Sequence, residues 1–222
     1  MAASASLIPP TPSADAYGAQ EDRPLIPEAG EPIALFGQWL GEARAGEISD
    51  ANAMTLATVD ADGLPDARIV LLKDFSEDGF TFYTNLGSAK AGQLAKNGAA
   101  ALLFHWKSNE RQVRLRGRVV PVSPKAADAY FAERARESQI GAWASDQSRP
   151  LASRGALEAR VALFTETYSD EEKVPRPPYW GGYCLVPSSI EFWQSQAYRL
   201  HDRRLYSYDA ASKGWSQQRL NP

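Results

Sequence analysis

Apolar positions recur at helical spacing between Pro32 and Ala45, where Ile33, Phe36, Leu40 and Ala43 share one face and Leu35 and Trp39 widen it. Pro32 suits the first turn, where its fixed φ and missing N–H cost a helix nothing. Beyond this helix the period falls to two. Ala53–Val59, Ala67–Lys73, Phe80–Thr84, Ala99–Trp106 and Gln112–Val122 read as strands, with turns at Asp60-Ala61-Asp62-Gly63 and Glu77-Asp78-Gly79. The Ala67–Lys73 run is almost continuously apolar, the pattern of a strand covered on both faces. Gly87–Lys96 reads as a short helix with Ser88 as its N-cap and Gly98 as its stop. Ser123-Pro124 opens a helix that carries Tyr130 and Arg134, and another spans Ala152–Tyr168 before Pro175, Pro177 and Pro178. Strands follow at Gly182–Leu185, Ile190–Gln194, Arg204–Tyr208 and Trp215–Leu220. Meander connections among seven or eight strands, with four helices, predict an α+β fold built on an antiparallel barrel or sandwich. Residues 1–30, rich in Ala, Ser and Pro, read as a flexible arm ahead of one domain over residues 31–222.

Composition narrows the function. A chain of 222 residues with 44% hydrophobic content can bury one sizeable core. The net charge of −3 supplies no basic field for nucleic acid, so any anion site must be local. The single cysteine, Cys184, has no internal disulfide partner and suits a reducing cytosol. One cysteine and two distant histidines do not make a structural zinc set, and no metal site is expected. There is neither an apolar run of membrane-spanning length nor a secretory pattern at the N-terminus. A cytoplasmic protein that engages neither membrane nor nucleic acid is expected.

The densest chemistry lies near the C-terminus, in Ile190-Glu191-Phe192-Trp193-Gln194 followed by Arg199-Leu200-His201-Asp202-Arg203. Arginines flanking His201 disfavour its imidazolium form, and cations beside an indole suit a planar anionic ligand. A solvated surface strand fits the same residues. Arg68 and Lys73 sit at opposite ends of an apolar strand and, by alternation, on opposite faces. They fit either a ligand contact or charges capping a buried strand. Lys90 lies in the first turn of a helix, where free N–H groups attract phosphate, although an ordinary capped helix start explains the segment too. Tyr130, Arg134 and Ser138 fall four residues apart, so a continuing helix would put a phenol, a guanidinium and a hydroxyl on one face. That set is a phosphate clamp or a solvated polar stripe.

Taken in order, these segments resemble the pyridoxine/pyridoxamine 5′-phosphate oxidase family from about Pro32 to Pro222. The C-terminal signature is the most specific part, supported by Arg68–Lys73, Phe82–Ser88, Glu110–Val113, Ser138–Trp143 and Tyr179–Gly182. The resemblance implies an antiparallel split β-barrel with flanking helices that binds FMN at a homodimer interface, its segment from about residue 180 to 222 serving dimerisation and substrate binding. It implies oxidation of pyridoxamine or pyridoxine 5′-phosphate to pyridoxal 5′-phosphate, with hydride passing to flavin N5 and O2 leaving as hydrogen peroxide. By matching motif positions, FMN is expected to contact the strand residues Arg68, Ile69, Val70, Leu71, Leu72 and Lys73. Further contacts are expected from Tyr83, Thr84 and Lys90, and from Gln112, Gln147, Ser148, Trp193 and Arg203. The substrate is expected to meet Lys73, Tyr130, Arg134, Ser138, Arg199, Leu200 and His201, with Arg199 and His201 as the catalytic pair on one side of an extended segment. Ala89 departs from the family's usual basic residue beside Lys90, and around Ala14–Tyr17 only Tyr17 resembles the substrate-covering element of some members. A non-catalytic protein of the same fold that holds flavin or pyridoxal phosphate is the alternative, and retention of Arg199 and His201 argues against it.

Overall fold

The computed structural model describes residues 12–13, 23–28, 30–170 and 173–222. Helix α1 (Pro32–Gly46) turns Ile33, Leu35, Phe36, Trp39 and Ala43 inward, as its spacing predicts. Phe36 is fully buried and lies edge-on to Phe75, Phe80 and Phe104, with ring centroids 5.0, 4.9 and 5.0 Å away. Those three rings come from different strands, so one helical side chain ties the sheet into a curl.

The strands are β1 (Ala53–Val59), β2 (Pro65–Leu71), β3 (Asp74–Ser76), β4 (Gly79–Asn85), β5 (Ala99–Trp106), β6 (Arg111–Pro121), β7 (Trp180–Gln194), β8 (Asp202–Asp209) and β9 (Gly214–Leu220). Their order is β2-β1-β5-β6-β7-β4-β3, with β8 pairing β7 and β9, and every pairing is antiparallel. Period-two burial puts Met54 and Leu56, Leu102 and Phe104, and Val113 and Leu115 on the core face. The fold is the antiparallel split β-barrel with flanking helices that the resemblance implies. No helix among the described residues is long and apolar enough to cross a membrane.

Strand β7 is the seam. Its first half pairs with β4, its second half with β8, and β6 runs along both. The sequence reads as two strands here because Pro187 interrupts the run. Pro187 instead sits opposite Gly117, where the register shifts and the ladder tolerates a missing N–H. A Cβ on Gly117 would fall 2.0 Å from the Val186 carbonyl oxygen, so only glycine permits this approach.

Other expectations change in instructive ways. The apolar strand β2 is not covered on both faces: it is a sheet edge paired only with β1, and Ile69 is 65% exposed. Asp74-Phe75-Ser76 forms a three-residue strand too short to show a period. Helices α2 (Ala89–Asn97), α3 (Pro124–Ala132), α4 (Arg136–Ala144) and α5 (Arg154–Thr167) follow the predicted starts, except that α4 is an additional element. The Ser123 hydroxyl caps α3 by accepting from the Ala126 N–H at 3.2 Å. Ser88 occupies the N-cap position of α2, but its hydroxyl donates to the Asn85 carbonyl instead of capping. Gly98 ends that helix at φ +71°, as expected of a left-handed stop.

Phe36→Ala should cost about 3–5 kcal/mol, the usual range for deleting a buried aromatic ring. Urea unfolding followed by tryptophan fluorescence measures this, and a loss below about 1 kcal/mol would contradict a central role for Phe36.

Candidate functional site

A cavity of about 820 Å³ opens where β2, β4 and the α3–α4 corner meet. Arg68, Ile69, Val70, Leu71 and Lys73 line one wall, Tyr83, Thr84 and Lys90 another, and Tyr130, Arg134, Ser138 and Gln147 a third. Arg68 and Lys73 thus face the same cavity, because β2 ends at Leu71 and alternation stops there. Leu72 does not line it: its side chain is buried in the core, while its N–H bonds to the Asn52 carbonyl. Ser148 is next to Gln147, exposed at φ +70°, and is likewise not in the lining.

Tyr130, Arg134 and Ser138 do meet, but not along one helix. Helix α3 stops at Ala132, residues 133–135 turn the corner, and α4 carries Ser138. Gln139, itself buried, holds the corner by donating to the Phe131 carbonyl at 2.8 Å. The turn aims Arg134 over Trp180, its guanidinium carbon 5.0 Å from the ring centroid. Nothing in the sequence assigns Trp180 a role. Tyr83 stacks on it at 5.2 Å and 5°, and on Tyr130 at 4.2 Å and 16°. A Cβ on Gly182 would fall 2.7 Å from Tyr83 Cδ1, so this glycine is what lets the ring lie flat. The Trp180-Gly181-Gly182 sequence was the available signal.

Charge compensation differs around the cavity. Arg68 is already engaged, with Asp66 at 2.5 Å, Thr58 Oγ1 at 2.6 Å and the Leu56 carbonyl at 3.1 Å. Lys90 has neutral partners, Gln147 Oε1 at 2.7 Å and Ser88 Oγ at 3.4 Å. Burial, and secondarily the Arg68 charge, pulls its pKa below the ordinary lysine value. Burial likewise lowers the pKa of Arg134, whose Nη1 is buried without a hydrogen-bond partner among the described residues. A buried cationic donor left over in this way costs free energy that an anionic oxygen would recover.

The remaining expected residues form a second group. Gln112, Trp193 and Arg203 stand in register across β6, β7 and β8 and line a smaller cleft of about 340 Å³ with Arg114 and Glu191. Glu191, which sequence reasoning left without a role, accepts from Arg203 Nε at 2.9 Å and Nη2 at 2.7 Å, and from Arg114 through its other oxygen. Trp193 and His201 lie against each other with ring centroids 4.5 Å apart. Arg199 and His201 are not on one extended segment. Ala197–Arg199 is a single 3₁₀ turn in which Tyr198 and Arg199 both have left-handed φ, +54° and +61°, and Leu200 is exposed. His201 titrates below the usual histidine value, as its arginine neighbours suggest, but burial is the larger cause and Arg199 the second. Neither Arg199 nor His201 lines the 820 Å³ cavity, so within one chain the expected site is in two parts.

Comparison with known proteins gives consistent relationships. A family model described as "Pyridoxamine 5'-phosphate oxidase" matches residues 40–168, and one described as "Pyridoxine 5'-phosphate oxidase C-terminal dimerisation region" matches residues 180–222. A pyridoxine/pyridoxamine 5′-phosphate oxidase of Hyphomonas neptunium is 60% identical over 98% of this chain and 99% of its own length. That of Caulobacter vibrioides is 55% identical over the full length of both. Among solved structures, PhzG of Burkholderia lata, in complex with tetrahydrophenazine-1-carboxylic acid, superposes with a TM-score of 0.81 at 31% identity, over 88% of this chain and 94% of its own. A pyridoxamine 5′-phosphate oxidase-related, FMN-binding protein of Nostoc punctiforme shares the fold, with a TM-score of 0.68 at 21% identity over 88% and 99%.

The His201 proton-NMR titration midpoint should fall below the free-histidine value of about 6.5. Arg199→Ala should raise it only part of the way back, because burial persists. A wild-type midpoint at or above that value would contradict the described environment.

Proposed function

The chain belongs to the pyridoxamine 5′-phosphate oxidase family, and on that premise we propose that two copies combine their two groups of residues into one flavin oxidase site. The enzyme oxidises pyridoxamine 5′-phosphate or pyridoxine 5′-phosphate to pyridoxal 5′-phosphate, with FMN as cofactor and O2 as final acceptor. The observation that carries this is the convergence of Lys73, Tyr130, Arg134 and Ser138 on one cavity, with the Arg134 guanidinium half withdrawn from water and its Nη1 without a hydrogen-bond partner among the described residues. A phosphate monoester supplies the acceptors that this guanidinium lacks.

The lining residues suit FMN as well. Arg68, Thr84, Lys90 and Gln147 offer a charged, donor-rich wall for its phosphate, and Lys90 is a half-desolvated cation with only neutral hydrogen-bond partners. Gln112, Trp193 and Arg203 of a second copy would complete the cofactor's surroundings. When bound, FMN would supply a two-electron acceptor for the substrate hydride, with O2 as the final acceptor and hydrogen peroxide as its product. Arg134, Lys73, Tyr130 and Ser138 hold the substrate phosphate and thereby fix where its reacting carbon lies. Arg199 supplies charge and orientation, since a guanidinium does not lose its proton. His201, kept neutral by burial and Arg199, contacts the substrate ring. Support for a two-chain site comes from the dimerisation-region match over residues 180–222, which contains Trp193, Arg199, His201 and Arg203. Residues 31–222 act as one FMN-binding unit, and the single cysteine suits a cytoplasmic location.

Arg134→Ala should raise KM for the phosphorylated substrate about tenfold to a hundredfold, the cost of one charge-assisted contact, while FMN content stays constant. An unchanged KM would remove Arg134 from the clamp. The two-chain site has a sharper test. Arg134→Ala and His201→Asn chains, co-expressed under separate tags, give a mixed dimer with one site carrying both substitutions and one carrying neither. Assayed well below the wild-type KM, that dimer should show roughly half the wild-type oxygen consumption, while the Arg134→Ala parent falls about tenfold or more and the His201→Asn parent is slowed as well. A mixed dimer as inactive as its parents would mean that each chain holds a whole site.

A further inference from the structure

We propose that Gln196 is a positioning residue for His201, and that residues 23–28 are the strap through which it acts. The inference rests on the oxidase reading only for its kinetic consequence. Gln196 is buried although polar, and its carboxamide clasps the main chain of Arg23 in both directions. The Arg23 N–H donates to Oε1 at 2.8 Å, and Nε2 donates to the Arg23 carbonyl at 2.8 Å. This pair fixes which end of the amide is oxygen. Three residues on, the Ile26 N–H donates to Asp202 Oδ2 at 2.7 Å, and the Ile26 side chain is buried in the core. The Glu28 carboxylate stands 3.5 Å from Arg204 and 3.7 Å from Arg219, and its carbonyl accepts from Gln217. The strap is therefore bonded at both ends of the 196–202 loop and again to β8 and β9.

Between those two anchors lie Tyr198 and Arg199 in left-handed conformations that side chains other than glycine rarely adopt. The bonds at Gln196 and Asp202 fix both ends of this bent segment. What the clasp holds is specific: the Gln196 N–H donates to His201 Nδ1 at 3.2 Å. An accepted hydrogen bond at Nδ1 requires its lone pair, so neutral His201 carries its proton on Nε2. Among the described residues Nε2 has no hydrogen-bond partner, while Trp193 backs the ring. His201 is thus presented to the ligand as a hydrogen-bond donor, suited to an oxygen anion or another acceptor on the substrate ring. The strap makes that presentation reproducible from turnover to turnover.

The test uses full-length, FMN-loaded protein labelled with ¹⁵N in its histidines, in which a His105→Asn variant assigns the only other imidazole. Long-range ¹H–¹⁵N correlation above the His201 midpoint should show an unprotonated Nδ1 and a protonated Nε2. Gln196→Ala should broaden or mix the two tautomers and slow anaerobic flavin reduction by substrate about tenfold, with KM and FMN content little changed. Gln196→Glu keeps the acceptor for the Arg23 N–H and loses the donor to its carbonyl, so it should fall between. A protonated Nδ1 in the wild type overturns the proposal even if neither variant folds. So does a Gln196→Ala protein whose spectrum and reduction rate both match the wild type. The expected tautomer in a protein that never oxidises the phosphorylated amine or alcohol would overturn the oxidase reading and leave the positioning geometry standing.

Discussion

A guanidinium half withdrawn from water, with one buried donor left over, is the constraint on which the cavity depends. Arg134 reaches that state through the backbone: α3 ends at Ala132, Gln139 seals the corner, and the side chain is laid over Trp180. Trp180 in turn stacks on Tyr83, which needs the space left by Gly182. Each step is ordinary packing, yet their sum is a cation whose Nη1 has no acceptor among the described residues. Folding bears that cost, and an anion with several oxygens relieves it.

Compensation elsewhere sharpens the contrast. Arg68 has Asp66, Arg203 and Arg114 share Glu191, and Arg111 pairs with Glu42. Among the described residues only neutral groups hydrogen-bond Lys90, and none reaches the buried Nη1 of Arg134. A chain of net charge −3 therefore carries a local excess of positive charge inside one cavity. The paired arginines act differently. Glu191 locks Arg203 through two of its nitrogens, so that group is a fixed donor array rather than a free charge.

Much of this is legible in the sequence where burial is local. Helix α1 and strands β1, β4, β5 and β6 announce themselves by period, because one face of each meets the core, whereas the edge strand β2 buries no residue and β3 is too short to show a period. The corner between α3 and α4 does not, since it is held by Gln139 reaching back to a carbonyl eight residues earlier. Strand β7 was hidden because Pro187 breaks a pattern that the bulge at Gly117 repairs from another strand. The site residues were found through resemblance and not through composition, and their division into two groups has no signature in spacing. Leu72 shows the limit of carrying a run of residues as a block: its neighbours face the cavity while its own side chain is in the core. The arm around Ala14–Tyr17 lies outside the described residues, whereas Arg23–Glu28 is bonded to the C-terminal strands in a way no local pattern betrays.

The account stands on recognition of a phosphate ester by a half-buried cation. Its most direct measurement is an oxygen-free titration of the FMN-loaded protein with pyridoxamine 5′-phosphate and, separately, with unphosphorylated pyridoxamine, read by flavin absorbance. Bleaching at about a hundredfold lower concentration of the phosphate ester is the predicted result. Equal concentration dependence for the two amines, or no bleaching by either, would contradict it.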